Sequence, residues 1–213
     1  MSDPSVIAPP LQARSIAFGL PGYGRQEHWS ADFAPGLSLI VDEEGEAKAA
    51  LLRLLAGESL PEAGTVLWQG IAMVQHVRSD PSLAFRRDPH ADWPEISPVQ
   101  WAQQQAQRYP NWSEGDWQTH VHGLQLREHL HKEMFRLSTG GKRKVLLATA
   151  LASGAPLTLI DEPEAALDHA SIRYLCGALG DEARRADETR RVWVVANYEP
   201  MPQVPWNQVI CLA

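Results

Sequence analysis

Leu157–Ile160 (LTLI) is a short, largely apolar run that stops abruptly at Asp161-Glu162-Pro163. A strand that is apolar on both faces must be covered on both, so the run points to a buried parallel sheet. Leu37–Val41 (LSLIV) and Arg191–Ala196 (RVWVVA) have the same character. Ser15–Phe18, Thr65–Trp68, Leu83–Phe85 and Val209–Leu212 are further short candidates. Helical patterns lie between them. AKAALLRLL (Ala47–Leu55) is followed by Gly57 as a stop, and further helices are expected from Ser138 to Leu151 and from about His169 to Arg185. From Pro98 to Lys132 β-branched residues are few, and QWAQQQAQRY and EGDWQTHVHGL read as two more helices. Strands alternating with helices predict an α/β fold with a mostly parallel sheet. In such sheets ligands gather where strand C-termini meet helix N-termini. The expected organisation is a single domain over 1–213, with a core lobe of 1–95 and 136–213 and a helical subdomain at about 96–135.

Composition narrows the function. A formal charge of −7 lacks the basic excess of a nucleic-acid-binding face, so no nucleic-acid partner is expected. Cys176 and Cys211 stand alone without CxxC spacing, which suggests neither a zinc site nor a disulfide framework and fits a reducing cytoplasm. The opening MSDPSVIAPPLQAR has no basic segment followed by an apolar run, and no stretch approaches the ~20 apolar residues of a membrane span. A membrane role would therefore be peripheral, on the inner face, through another chain.

The chemistry concentrates in LSTGGKRK (Leu137–Lys144) and LTLIDEPEAALD (Leu157–Asp168). Ser138 offers a hydroxyl, and Gly140 and Gly141 let backbone amides approach an anion at a helix N-terminus, where the helix dipole favours negative charge. Asp161 at a buried strand's end suits Mg²⁺, and Glu162 suits polarisation of a water. In this order, with Ala166-Leu167-Asp168 following, the two segments resemble the signature motif and the Walker B strand, catalytic glutamate and D-loop of the ABC ATPase family. LLRLLAGESLPEAGTVLWQG (Leu51–Gly70) is similar to the helix, turn and strand after that family's phosphate loop. PEISPVQWAQQQAQRYPNW (Pro94–Trp112) is similar to the start of its helical subdomain. The resemblance implies a P-loop NTPase-like core with antiparallel strands at the N-terminal side. It also implies ATP and Mg²⁺ as cofactors, a membrane permease in a separate chain, and a dimer. The dimer is either a homodimer or a heterodimer with an intact ABC ATPase subunit, whose site this chain's Ser138 and Gly140 would complete. Glu162 becomes the catalytic residue, Asp168 a nucleotide-side residue of the D-loop, and Asp161 a metal ligand. GTVLWQG resembles the cassette of haem-export systems for cytochrome maturation, in a stretch too short to assign a substrate.

The departures from that family pattern cluster in one loop. A working phosphate loop reads G-x-x-x-x-G-K-[ST], with amides and lysine on the phosphates and a hydroxyl on Mg²⁺. Here Asp42-Glu43-Glu44-Gly45-Glu46-Ala47-Lys48-Ala49 keeps Gly45 and Lys48, but Asp42 and Ala47 replace the framing glycines and Ala49 the hydroxyl. One like-charge pair at ~6 Å costs roughly 3 kcal/mol at an effective dielectric of ~20. A micromolar site is worth only about 8 kcal/mol, so carboxylates at 42, 43, 44 and 46 are expected to impair nucleotide binding. An acidic turn that favours its own helix N-terminus is the alternative role for these residues. The metal-sensing glutamine aligns with Asp88, or with Gln75; the histidine after the last core strand is Asn197; the adenine-stacking aromatic is Leu20, with Phe18 or Tyr23 as substitutes. Two functions follow: a transporter's ATP-binding subunit with an impaired site of its own, or a non-hydrolysing pseudo-ATPase acting as scaffold or regulator.

Other features are read as structural. His120/His122 and His129/His131 are two apart, about 200° around a helix, so neither pair shares a face. Trp93, Trp101, Trp112 and Trp117 form either local core or a partner-binding patch.

Overall fold

The computed structural model describes residues 9–20, 23–43 and 47–212, and side chains are not described for residues 20, 23 and 24. Gly45, Glu44 and Glu46 lie outside these residues, as do the side chains of Leu20 and Tyr23.

The centre is a five-stranded parallel sheet in the order β6-β7-β8-β3-β9. These strands are β3 (Gly36–Val41), β6 (Ala84–Phe85), β7 (Leu157–Asp161), β8 (Val192–Asn197) and β9 (Gln208–Cys211). All six residues of β3 and of β8 are buried, as their unbroken apolar runs predict. Alternation then divides them between two cores. Leu37, Leu39, Trp193 and Val195 face one, while Ile40, Val192 and Val194 face the other.

The second core is covered by α1 (Lys48–Leu55) and by an antiparallel sheet. That sheet runs β2-β1-β4-β5, built from β1 (Leu11–Leu20), β2 (Tyr23–Phe33), β4 (Thr65–Trp68) and β5 (Ile71–Ala72). Gly64 approaches β1 so closely that a Cβ would lie 2.3 Å from the Arg14 carbonyl, at a φ of +75°. β2 and α2 (Met73–Ser79) are among the elements that were not anticipated. β2 carries Arg25, Glu27, His28 and Asp32, so its apolar signal reduces to Trp29 and Phe33; α2 buries only Met73.

The first core carries the helical layer. α3 (Pro98–Arg108) starts with a capping box between Ser97 and Gln100, and α4 (Glu114–Gly123) with a Ser113 cap. Two single 3₁₀ turns then lead into α5 (Thr139–Ala152), capped by Ser138. α6 (His169–Arg184) is capped by Asp168 and followed by the short α7 (Ala186–Thr189). α4 meets α6 at one place: a Cβ on Gly123 would lie 1.9 Å from the Tyr174 ring, and the Tyr174 hydroxyl is 2.9 Å from His120 Nδ1.

The tryptophans form two pairs, not one cluster. Trp93 and Trp101 meet edge to face at 5.2 Å, with the Arg87 guanidinium 4.1 Å from Trp93; Trp112 packs on the buried Trp117 at 5.9 Å. Beneath the sheet, buried Arg191 donates to Glu182 (2.9 Å), Thr158 (3.1 Å) and the carbonyls of Ala150 and Ala155, and so ties α5, β7 and α6 to β8.

Candidate functional site

Parallel registration brings three chain segments to one edge. Val41 pairs with Asn197, and Asp161 with Ala196, so β3, β7 and β8 end together. The ladder continues one step further through Asp42 N–H to the Asn197 carbonyl (3.1 Å) and Glu162 N–H to the Ala196 carbonyl (2.9 Å). Asp42, Asp161, Glu162 and Asn197 are thereby placed side by side, as expected at the C-terminal edge of such a sheet.

Asp42 turns inward. Its carboxylate is 5% exposed and accepts from the Ala47 (2.9 Å) and Lys48 (2.8 Å) amides, at the start of α1. Lys48 is 2% exposed; its Nζ lies 3.1 Å from Glu162 Oε1 and 3.5 Å from the centroid of the Tyr198 ring. Burial works against the lysine's charge. Bonds to Glu162 and Tyr198 and the charges of Glu162 and Asp161 outweigh it, and the pKa is raised. Glu162 holds this position at a φ of +45°, a costly conformation for a residue with a side chain.

Asp161 is different. Its Oδ1 is buried without a hydrogen-bond partner, and burial raises its pKa despite the opposing influence of Lys48. Arg143 on α5 donates to the Asp161 backbone carbonyl (2.7 Å). Asn197 donates to Glu164 (3.3 Å) and to the Glu199 carbonyl (3.1 Å).

The second half of the constellation surrounds the start of α5. Ser138 Oγ accepts from the Gly141 amide (3.1 Å), while the Thr139 and Gly140 amides have no partner among the described residues. A Cβ on Gly140 would sit 2.3 Å from the Ala166 carbonyl, so only glycine lets the two backbones meet. Asp168 accepts from Lys144 (2.7 Å) and from the Ser171 amide (2.8 Å), and these bonds hold its carboxyl far below the usual carboxylate range.

Three candidates from the sequence fare differently. Asp88 is occupied by Arg53 (3.2 Å) and the His90 amide (2.9 Å), with no hydrogen bond to Asp161 or Glu162. Gln75 is exposed on α2. Phe18 is buried against Trp29 (5.5 Å) and cannot stack on a base from there. Sequence reasoning missed Tyr198, Arg143 and Lys144. The last two stand within LSTGGKRK, and Tyr198 directly follows Asn197, so position alone marked all three.

The donors can be tested against the group that the motifs imply. Asp161 fits a Mg²⁺ ligand, through a buried oxygen that lacks a partner. Around α1 the donors that would meet a triphosphate already have partners within the chain. The Ala47 and Lys48 amides face Asp42, the lysine faces Glu162, and Ala49 has no hydroxyl.

A sequence profile described as ABC transporter matches residues 36–165. The chain is 31% identical over 177 residues to the cytochrome c biogenesis ATP-binding export protein CcmA 1 of Cupriavidus metallidurans, covering 78% of this chain and 82% of the relative. The CcmA of Paramagnetospirillum magneticum is 31% identical over 154 residues, 70% of each chain. The spermidine/putrescine import ATP-binding protein PotA of Protochlamydia amoebophila is 27% identical over 159 residues, 67% of this chain and 43% of that one. Among solved structures, an ATP binding subunit of an ABC transporter has a TM-score of 0.72 at 17% identity, covering 88% of this chain and 79% of the other. A bacterial ABC transporter cassette solved as a dimer has a TM-score of 0.73 at 16% identity, with 95% and 94% covered. The order of the motifs, the strand-end geometry and these matches agree: the chain belongs to the ABC transporter family, as an ATP-binding subunit.

Proposed function

We propose that this subunit works beside a separate membrane permease with its own nucleotide site impaired, and that it lends Ser138 and Gly140 to the site of a second, intact cassette. The observation that carries this is the Lys48–Glu162 pair. The one lysine expected on the phosphates and the one carboxylate expected on the attacking water are 3.1 Å apart and engage each other. By contrast, the start of α5 keeps two amides without a protein partner. A homodimer would set two such helix ends against two occupied loops, so a heterodimer suits the site better. Among the described residues no helix is long and apolar enough to cross a membrane. The transported substrate is assigned to the permease, since relatives named for export and for import share this cassette.

Titration calorimetry with MgATP and steady-state turnover of the purified chain test the proposal. Neither micromolar affinity nor turnover is expected alone, whereas an intact partner cassette should turn over faster in its presence. Micromolar affinity with hydrolysis abolished by Glu162→Gln would sink the idea. The second reading, a scaffold or regulator without any catalytic role, draws on Asn197, whose amide is spent on Glu164 and Glu199. It is favoured if the partner's rate is unchanged by Gly140→Ala in a folded complex.

A further inference from the structure

We infer that Asp42 is an intramolecular substitute for a phosphate group, a built-in occupant that closes the anion site of α1. This rests on the reading of the site as impaired and identifies the residue responsible. A helix N-terminus attracts an anion for two reasons: its first amides have no acceptor within the helix, and the aligned peptide dipoles leave it positive. In α1 one carboxylate oxygen faces the positive end of the dipole and takes the amides of Ala47 and Lys48. Asp42 Oδ2 accepts from the Ala47 amide at 2.9 Å and from the Lys48 amide at 2.8 Å, lengths typical of charge-assisted bonds.

Two features separate this from an ordinary cap. The residue that flanks α1 is Ala47, which makes no side-chain cap, and the carboxylate comes from five positions earlier, at the end of β3. Asp42 is therefore held by the sheet, through its amide on the Asn197 carbonyl, and reaches across the loop. The second positive element, Lys48, is met by another protein carboxylate, Glu162. Amides and lysine, the two groups that would share a phosphate, are each answered by a side chain of the protein. The loop is thus closed by substitution of its ligand, not by loss of its donors.

Inorganic pyrophosphate is the probe, with the full chain as the protein. Asp42→Gly should bind it about tenfold or more tightly than the wild type, the worth of a charge-assisted bond regained by the ligand. Pyrophosphate should also restore part of the melting temperature that the variant loses, and leave the wild type unmoved. Asp42→Asn keeps an acceptor oxygen and removes the charge, so it guards against a glycine variant that does not fold. In it, pyrophosphate should slow hydrogen exchange at the Ala47 and Lys48 amides. A folded Asp42→Gly indifferent to pyrophosphate, or no slowing in Asp42→Asn, overturns the inference while leaving the site impaired for another reason. Wild-type protein that already binds micromolar MgATP overturns the impairment itself.

Discussion

Replacing Glu162 by Gln leaves Lys48 at 2% exposure without the carboxylate that now answers its charge. Two unit charges 3.1 Å apart attract by about 5 kcal/mol at an effective dielectric of ~20. The net cost of the substitution is smaller. Glu162 is 20% exposed and regains hydration on unfolding, and Tyr198 and Asp161 still face the lysine. The expected loss is about 2–3 kcal/mol, just below the range for breaking a fully buried pair. In a chain of 213 residues that is roughly 5–10 °C of melting temperature. Urea unfolding of the wild type, Glu162→Gln, Lys48→Met and the double variant measures it. The double variant should recover most of the loss, with a coupling energy of about 2 kcal/mol. The pH dependence has a definite sign. The folded pKa of Lys48 lies above its unfolded value. Its contribution is therefore complete below the ordinary lysine value of about 10.4 and lost as pH rises through the folded one. The gap between wild type and Glu162→Gln should hold through neutral pH and narrow in strong alkali. A loss under about 0.5 kcal/mol, or a coupling near zero, would refute the pairing and remove the basis for the proposed function.

Four further outcomes are expected. Gly140→Ala must displace either α5 or the Ala166 carbonyl, at a cost of about 1–3 kcal/mol in urea unfolding; an unchanged midpoint would disprove the contact. Arg191→Met takes from the buried Glu182 carboxylate its buried cationic partner, leaving the Trp193 indole N–H (3.0 Å) and the half-exposed Arg185 (3.7 Å), and should cost about 2–4 kcal/mol, part of it recovered when Glu182→Leu is added. Asp161→Asn removes a buried charge, one oxygen of which has no hydrogen-bond partner, whose raised pKa means stability falls as pH climbs from the ordinary aspartate value through the folded one. The variant should therefore melt higher than wild type at pH 7, by a margin that vanishes near pH 3; a lower melting temperature at pH 7 would contradict it. His120 has its pKa lowered, by burial first and by Arg191, against the opposing charges of Asp116 and Asp181. The unfolded chain then takes the proton first, so stability drops as pH falls below about 6.5, and His120→Gln should flatten that slope in melts between pH 7.5 and 5.

Legibility in the sequence followed the strength of local signals. Leu37–Val41 and Leu157–Ile160 declare a buried parallel sheet because no charge interrupts them and their single hydroxyls, Ser38 and Thr158, are small enough to bury. Ser138 marks the start of α5 because a hydroxyl before a helix is a cap wherever it occurs. β2 was hidden by its solvated face, and α2 by its length of seven residues with one buried side chain. At the site, the acidic run from Asp42 was visible as charge. Which carboxylate turns inward is a matter of the sheet's hold on Asp42, which no neighbour in sequence reveals. Asp88 was marked by alignment with a family position, while its pairing with Arg53, thirty-five residues earlier, is visible only in the fold. Tyr198 carries no motif, and its role over Lys48 exists only once β8 and α1 stand together.

The seat of Tyr174 on Gly123 has a mechanical consequence. An aromatic ring pressed against a glycine of a facing helix behaves as a pivot, because translation along α6 would drive ring carbons into the α4 backbone. Displacement of α4 against α6 is thereby converted into rolling about one phenol, with the hydroxyl near both His120 Nδ1 and the Thr119 carbonyl as it turns.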